Sequence, residues 1–390
     1  MKHFAFYLLL LSLLASCGPE REAGQYRNEV EVKPTSAEII KLSEFVEDVK
    51  FVELELTNQS IIERISAVFY YDGKYIVADK GTHTIFIFND EGKFLSKFNR
   101  QGRANNEYSS LGVAMFDEQN GRIIVYDFQR KNLLYYTLSG ECVATHNISE
   151  KCEHEIHEII NLPNGNFLCY AFLHGTQQSP YDGLWEMTPD GETVKWLHRN
   201  ELVHPCPSPA YAMSYNPQGR ISINYMEEDS DMEYGDGLEY ATKYNVQGAT
   251  AKDFAGMTNS DYAPNWVEGK MFNARQWSMK IGKYFFSKWS SEESGKPYYT
   301  LCDSKTAKVV CGRKIDYTSH SGVQALPSIV IKGRDAIEIT PSNLRNSVVV
   351  PLYAETMMSE KYLSQTKALL AGRDVEDMNP ILQIWTVRDK

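Results

Sequence analysis

Arg100, Arg103, Glu107 and Tyr108 fall within nine consecutive residues. Together they suit a carboxylate or a sugar, the guanidiniums gripping by paired hydrogen bonds and the phenol ring by stacking. A Glu and an Arg in one connector can equally do no more than pin it. Trp266, Arg275 and Trp277 lie in a second stretch, 257–277, which is long for a connector and offers aromatic and cationic groups of the kind found on rim loops. His154, Glu155, His157 and Glu158 are metal-ligating types, but His-x-x-His on an extended strand sends its two rings to opposite faces, so no metal site is assigned to them. Glu227, Glu228, Asp229, Asp231, Glu233 and Asp236 resemble a calcium loop only loosely. The glycine falls one place late and Tyr240 stands where the bidentate ligand belongs, which leaves a solvated acidic loop as the reading. Asp79 and Asp127 each follow a second strand at equivalent places, and such repetition argues for turn caps. The chain has no Gly-x-Ser-x-Gly elbow, P-loop, dinucleotide fingerprint or Cys-x-x-Cys pair. No cofactor is expected, although a divalent cation in a channel stays open.

These residues need a scaffold, and composition allows a large one. Of 390 residues 43% are hydrophobic, enough to bury an extensive core, while 40 Lys and Arg against 51 Asp and Glu give a net charge of −11. That charge repels phosphate backbones and excludes nucleic acid as a partner. At the amino terminus, Lys2 and His3 precede an apolar run from Phe4 to Ala15, too short to span a bilayer and suited to a signal peptide. It ends in Leu14-Ala15-Ser16-Cys17, which resembles the bacterial lipobox and implies cleavage before Cys17 and acylation of its thiol. The polar stretch that follows, with Pro19, Gly24 and Pro34, reads as a tether. The expected organisation is a signal peptide over 1–16, a lipidated cysteine and flexible tether over 17–48, and a folded body over 49–390. Of the six later cysteines, only Cys302 and Cys311 look placed to form a disulfide.

The body is punctuated by turns. Asp72-Gly73, Asn120-Gly121, Asn164-Gly165 and Gln218-Gly219 each precede a β-rich run, and Asp-Gly or Asn-Gly supplies the positive φ of a tight hairpin. A second set trails the first: Gly92 and Gly140 each follow by 19 residues, and Gly191 and Gly248 by more. Two hairpins make one four-stranded unit, and unit starts at Gly73, Gly121, Gly165, Gly219, Gly282 and Gly333 recur at a period that suits propeller blades. The expected fold is all-β, a six-bladed β-propeller of four-stranded blades.

The sixth unit departs from the pattern. Residues 328–332 and 336–340 are its expected first strands, and 354–371 carries a helical face of Met358, Tyr362, Leu363, Thr366, Leu369 and Leu370, so a helix is inserted in the last blade. After Asn379-Pro380, Ile381 to Val387 forms a strand, and the early strand at Phe51 to Leu56 is left to close the blade.

On these residues the chain resembles the six-bladed β-propeller lipoproteins of Bacteroidetes, TolB-like or NHL-like in architecture. The resemblance is carried by Val52-Glu53-Leu54-Glu55 leading to Ile61–Ile65, by Asp72–Asp79, by the linker Arg100–Tyr108, and by the closing segment Glu376–Leu382. The linker lacks the Gly-Pro pair usual before its Glu. The resemblance implies a cell-envelope lipoprotein, at the outer membrane, held there through Cys17.

Three functions remain open at this point. The first is a membrane-anchored binding or scaffolding module for a glycan, peptide or envelope protein, with Arg100, Arg103, Glu107, Tyr108, Trp266, Arg275 and Trp277 as candidate contacts. The second is an exported metal-assisted hydrolase or lyase working in the propeller channel. The third is a structural envelope protein. Fold does not choose among them.

Overall fold

The computed structural model describes residues 25–390 apart from 153, 172–181, 201–212, 217, 226–228, 251–252, 254–272, 291–296, 332–333, 372, 376–377 and 389–390. Six blades close into a ring. Blade 1 comprises Ile65–Tyr71, Lys74–Asp79, Thr84–Asn89 and Phe94–Phe98, ordered from the axis outward. Blade 2 comprises Val113–Asp117, Arg122–Asp127, Asn132–Tyr136 and Cys142–Asn147. Blade 3 comprises Glu158–Asn161, Phe167–Ala171, Asp182–Met187 and Thr193–Asn200. Blades 4 and 5 repeat the pattern with Met213–Tyr215, Ile221–Tyr225, Ser230–Tyr234 and Leu238–Val246, then Ala274–Ile281, Tyr284–Ser290, Tyr298–Asp303 and Val309–Gly312. The first and third hairpin turns of each blade share one face, here the turn face, while the second turns lie with the links between blades on the other, the connector face.

The recurrent glycines follow from this geometry. Gly73, Gly121, Gly165 and Gly219 all sit at positive φ. The second set adds a packing demand: Gly140, at φ +81°, turns beneath the end of the preceding blade's outer strand, where an added Cβ would lie 2.6 Å from Phe98 Cβ. Asp79 and Asp127 are turn caps, as expected. Asp79 accepts the N–H groups of Glu63, Arg64 and Gly81 at 2.7–3.0 Å, and Asp127 accepts those of Ser109 and Gln129.

Each gap between blades holds its own apolar cluster, such as Phe69, Ile76, Phe116 and Val125 between blades 1 and 2, or Val52, Val77, Val349 and Leu382 between blades 6 and 1. The last blade closes the ring. Its four strands are a short innermost segment at Thr340, bridged to Val349, followed by Ser347–Leu352, Ile381–Val387 and Val46–Glu53. An amino-terminal strand therefore completes a carboxy-terminal sheet, as expected, although it runs over 46–53 where 51–56 was expected. The expected first strands at 328–332 and 336–340 are corrected: Ile329–Ile331 and Arg334–Ala336 form a separate small hairpin. Ser347–Leu352 supplies the strand instead. The single helix expected over 354–371 is two, α1 (Ala354–Met357) and α2 (Leu363–Leu370). The break lets Met357, Tyr362 and Leu370 all bury against Leu326, Leu352 and Ile381 while Met358 faces solvent. Ala371 ends α2 in the left-handed conformation.

The expected tether over 17–48 is also corrected within its described part. Asn28–Val32 runs parallel to the outer strand of blade 4 as a fifth strand, and Ile39–Lys41 pairs in parallel with Lys314–Asp316 beside blade 5. Val30 and Val32 drop into the core between blades 4 and 5 beside Phe285 and Trp289. This amino-terminal strap thus belongs to the folded body. The five described cysteines after Cys17 are free thiols, Cys302 and Cys311 included, so the expected bridge between them is not formed. Cys206 lies outside the described residues.

Glu186 shows how neighbouring blades are joined on the turn face. Its carboxylate accepts hydrogen bonds from Asn164 and Asn166 at 3.0 and 2.7 Å and from Tyr234 of blade 4 at 2.8 Å. Burial pushes the carboxyl up, but the bonds from Asn166, Tyr234 and Asn164, with Lys195 beside them, outweigh it and hold the group down at about 2. The linked stability is present above the unfolded value of about 4.3 and is lost as pH falls through about 2, a difference on the order of 3 kcal/mol. Chemical denaturation at pH 7, 4 and 2.5 should show a shallower acid decline for Glu186→Gln than for the parent. Parallel stability curves would refute this assignment.

Candidate functional site

Innermost strands have one side turned to the ring axis, and their side chains there line a channel. A cavity of about 210 Å³ occupies it, walled by Phe69 of blade 1, Met115 and Phe116 of blade 2, Ile159 of blade 3 and Met213 of blade 4. Polar groups punctuate that apolar wall: Ser66, Lys80, His157, Glu158, Ser214 and Asn343. Small polar sets on an apolar wall are the general pattern of ligand sites. The volume is below that of a drug-sized pocket and has room for one sugar or one amino-acid side chain.

Several of these polar groups are fixed by the backbone. Glu158 Oε2 accepts the Met213 N–H of the next blade at 2.9 Å. Asn343 bonds both backbone groups of Tyr70, accepting at 2.8 Å and donating at 3.1 Å, and so seals blade 6 to blade 1. Lys80 stands at the connector-face end, directly after Asp79, with its N–H on the Arg64 carbonyl at 3.0 Å. Burial lowers the Lys80 ammonium, Arg64 lowers it further, and Glu338 on the blade 6 side opposes both. Lys288 of blade 5 is lowered in the same way, by burial, with Glu338 again opposing. Lys80 and Lys288, partly desolvated cations from two blades, thus share one neighbouring carboxylate, the exposed Glu338.

The turn-face end is crossed by hydrogen bonds and an ion pair. Asn161 donates to the Phe116 carbonyl at 2.9 Å, Tyr215 donates to the Asn161 carbonyl, and Arg345 of blade 6 reaches Glu118 of blade 2 at 2.9 Å. Beyond them lies a groove of about 360 Å³ between the turns of blades 2 and 3, which shares Phe116, Asn161 and Tyr215 with the channel wall.

The residues singled out from sequence do not converge here. Tyr108 is wholly buried, its hydroxyl donating to the His83 carbonyl at 2.8 Å and accepting the Arg100 N–H at 2.9 Å. Arg100 donates through Nε to the Gly140 carbonyl, and Glu107 accepts the Ala104 N–H. Arg130, which the sequence reading passed over, ties the same loop by bonds to the carbonyls of Gly102, Ala104 and Glu107. The loop is a self-pinned connector in which Arg100 and Arg103 are exposed, Glu107 is half-buried and Tyr108 is buried, which corrects the reading of Tyr108 as a stacking contact for a ligand. A Cβ at Gly102 would fall 1.9 Å from Glu107 Oε2, so a side chain there would push the Glu107 carboxylate off the Ala104 N–H.

Arg275 and Trp277 are corrected likewise. Both lie on the innermost strand of blade 5, not on a rim loop. Trp277 packs on Phe286 with centroids 5.3 Å apart. Arg275 is fully buried between blades 4 and 5, paired with Asp231 at 2.9 Å and lying over the Tyr244 and Trp289 rings. Its partner overturns another expectation, since Asp231 and Glu233 are buried strand residues and not part of a solvated acidic loop. Glu233 answers Lys280 at 2.9 Å and Arg27 of the strap. The alternation of Asp231 and Glu233 against Arg275 and Lys280 was the available signal. Cys17 and Trp266 lie outside the described residues.

His157 and Glu158 reach the channel, while His154 sits in the preceding connector, edge-on to Trp185 and Trp196. Among the described residues no three His, Cys, Asp or Glu side chains are grouped as a metal would need. Among them, too, no helix is long and apolar enough to cross a membrane.

A family model described as a domain of unknown function, DUF4934, matches residues 28–386. A search of curated proteins returns no match. Among solved structures, a Bacteroides fragilis protein described as exported superposes with a TM-score of 0.70 at 13% identity, over 93% of this chain and 100% of its own. A member of the DUF4221 family from Bacteroides vulgatus gives a TM-score of 0.54 at 11% identity, over 88% of this chain and 97% of its own. At these identities the likeness concerns the fold.

Proposed function

The chain belongs to the DUF4934 family, and on that premise we propose that it is an exported, envelope-tethered binding module, acylated at Cys17 and held at the outer membrane, whose axial channel takes the end group of a glycan or peptide. The observation that carries this reading is the channel itself, a single-residue-sized apolar cavity with Lys80, His157 and Glu158 converging on it. Its small volume favours a chain end over a mid-chain segment. The exported Bacteroides relative and the lipobox-like Leu14–Cys17 support the address.

Titration calorimetry against panels of oligosaccharides and peptides tests it, using two variants that alter the channel alone. Lys80→Met keeps the bulk and removes the charge, and should weaken the best ligand about ten- to a hundredfold, as loss of a charged hydrogen bond of about 1.5–3 kcal/mol requires. Ser214→Phe fills the cavity and should abolish binding while circular dichroism stays that of the parent. Ligands held equally well by parent and both variants would place binding elsewhere and overturn the proposal.

A further inference from the structure

We propose that the outer rim of blade 4, at its Gly235–Gly237 turn, is the edge of the molecule that lies against the lipid bilayer, so that the connector face and the Lys80 end of the channel look into the aqueous compartment. This rests on the acylation of Cys17 proposed above, and the argument concerns where the tether ends. Eight residue steps separate Cys17 from Gln25. Eight steps span at most about 28 Å when fully drawn out, and a generic coil of that length has a root-mean-square reach of about 16 Å.

The described chain begins firmly attached. Tyr26 donates to Ser230 Oγ at 3.0 Å and stacks edge-on to Tyr240 at 5.2 Å. Arg27 pairs with Glu233 and lies 3.6 Å from Glu239, and its N–H bonds the Tyr240 carbonyl. Asn28 then opens a five-residue parallel ladder and donates to the Ser304 carbonyl of blade 5 at 2.7 Å. In that ladder Asn28 stands opposite Thr242, so Gln25 falls beside the start of the outer strand, next to the Gly235–Gly237 turn. The turn is on the turn face, where Gly235, Asp236 and Glu239 line one groove with Asn164, Gly219 and Arg220.

A link of that length therefore brings this rim down to the lipid headgroups. Laying the connector face on the bilayer would lift Gln25 by the height of a blade, about 17–20 Å for strands of five or six residues, which exceeds the root-mean-square reach of such a coil and costs it entropy. The short tether restricts tilt as well as distance, and the ring carries blade 1 to the far side of its axis.

Single-cysteine labels on the full-length lipidated protein in vesicles containing headgroup-quencher lipids test the orientation, with the signal of protein lacking the added cysteine subtracted. Gly237→Cys reports the rim and has open space for its side chain. Arg103→Cys reports the exposed connector face between blades 1 and 2. Quenching should be severalfold stronger at position 237 than at 103, and about twenty Gly and Ser residues inserted after Gly24 should bring the two together by lengthening the coil. Equal or reversed quenching with the native tether overturns the orientation. Protein that fails to float with vesicles and shows an unmodified Cys17 by mass overturns the acylation, a different failure read in a different assay.

Discussion

Arg275→Ala destabilises the protein by about 3–5 kcal/mol, the cost of leaving a buried carboxylate without its cation. The pair is sealed in: the Arg275 and Asp231 side chains are 0% and 2% exposed, Tyr244 donates its hydroxyl to the second Asp231 oxygen, and Arg275 Nη2 donates to the carbonyls of Tyr225 and Ser230. Burial raises the Asp231 carboxyl even in the parent, with Arg275 the main opposing influence. In Arg275→Ala that opposition is gone. A raised folded pKa gives stability at low pH that is lost as pH climbs from the unfolded value of about 3.9 to the folded one, so the variant's deficit grows from pH 4 to pH 7. Urea denaturation at both pH values measures it. The double variant Asp231→Leu with Arg275→Met should recover most of the loss, since apolar replacement of a buried pair is often neutral or better. A loss below about 1 kcal/mol for Arg275→Ala, the range of exposed pairs, would show that water reaches the pair.

Removing residues 25–53 abolishes the folded state, whereas removing 25–41 leaves a destabilised but cooperative ring. The longer deletion takes the outer strand of blade 6 and with it Val46, Val49 and Val52, which pack into the clusters on either side of that blade. It also exposes Ile381–Val387 as an edge strand whose backbone bonds are unpaired. The shorter deletion removes the strap over blades 4 and 5 but spares closure. Thermal melts followed by near-ultraviolet circular dichroism distinguish the two. A sigmoidal melt for the longer deletion within a few degrees of the parent would mean that the ring does not depend on its closing strand.

The architecture was legible because a propeller repeats its turn chemistry. Gly73, Gly121, Gly165 and Gly219 must sit at positive φ whatever the blades contain, and each stands at the first turn of a four-stranded blade. What escaped notice has long-range causes. Asn28–Val32 offers only two buried valines among polar residues, and its partner strand lies over two hundred residues later, so nothing local separates it from a tether. Ser347–Leu352 contains Pro351 and is followed by α1, which hid it as a strand. Arg275 and Trp277 looked like rim residues because the stretch before them is long, yet counting back from the Gly282 turn places both on an inner strand. The channel set was half visible. His157 and Glu158 were noticed for their chemistry, but Lys80, Ser214 and Asn343 come from three other blades and carry no shared motif.

Closure by the first strand also sets a clock on folding. Asn379 holds the Ile62 N–H across 317 positions of sequence, and Val46–Glu53 has no sheet to join until Ile381–Val387 has been made. At about 5–20 residues per second, translation leaves that strand waiting on the order of tens of seconds. Its sequence suits the wait: Glu47, Asp48, Lys50 and Glu53 set charge around Val46, Val49 and Val52, which discourages pairing with other nascent chains. The alternation that seats the strand in the finished ring also keeps it soluble beforehand, and neutral residues at those four positions should lower the yield of folded protein more than its final stability.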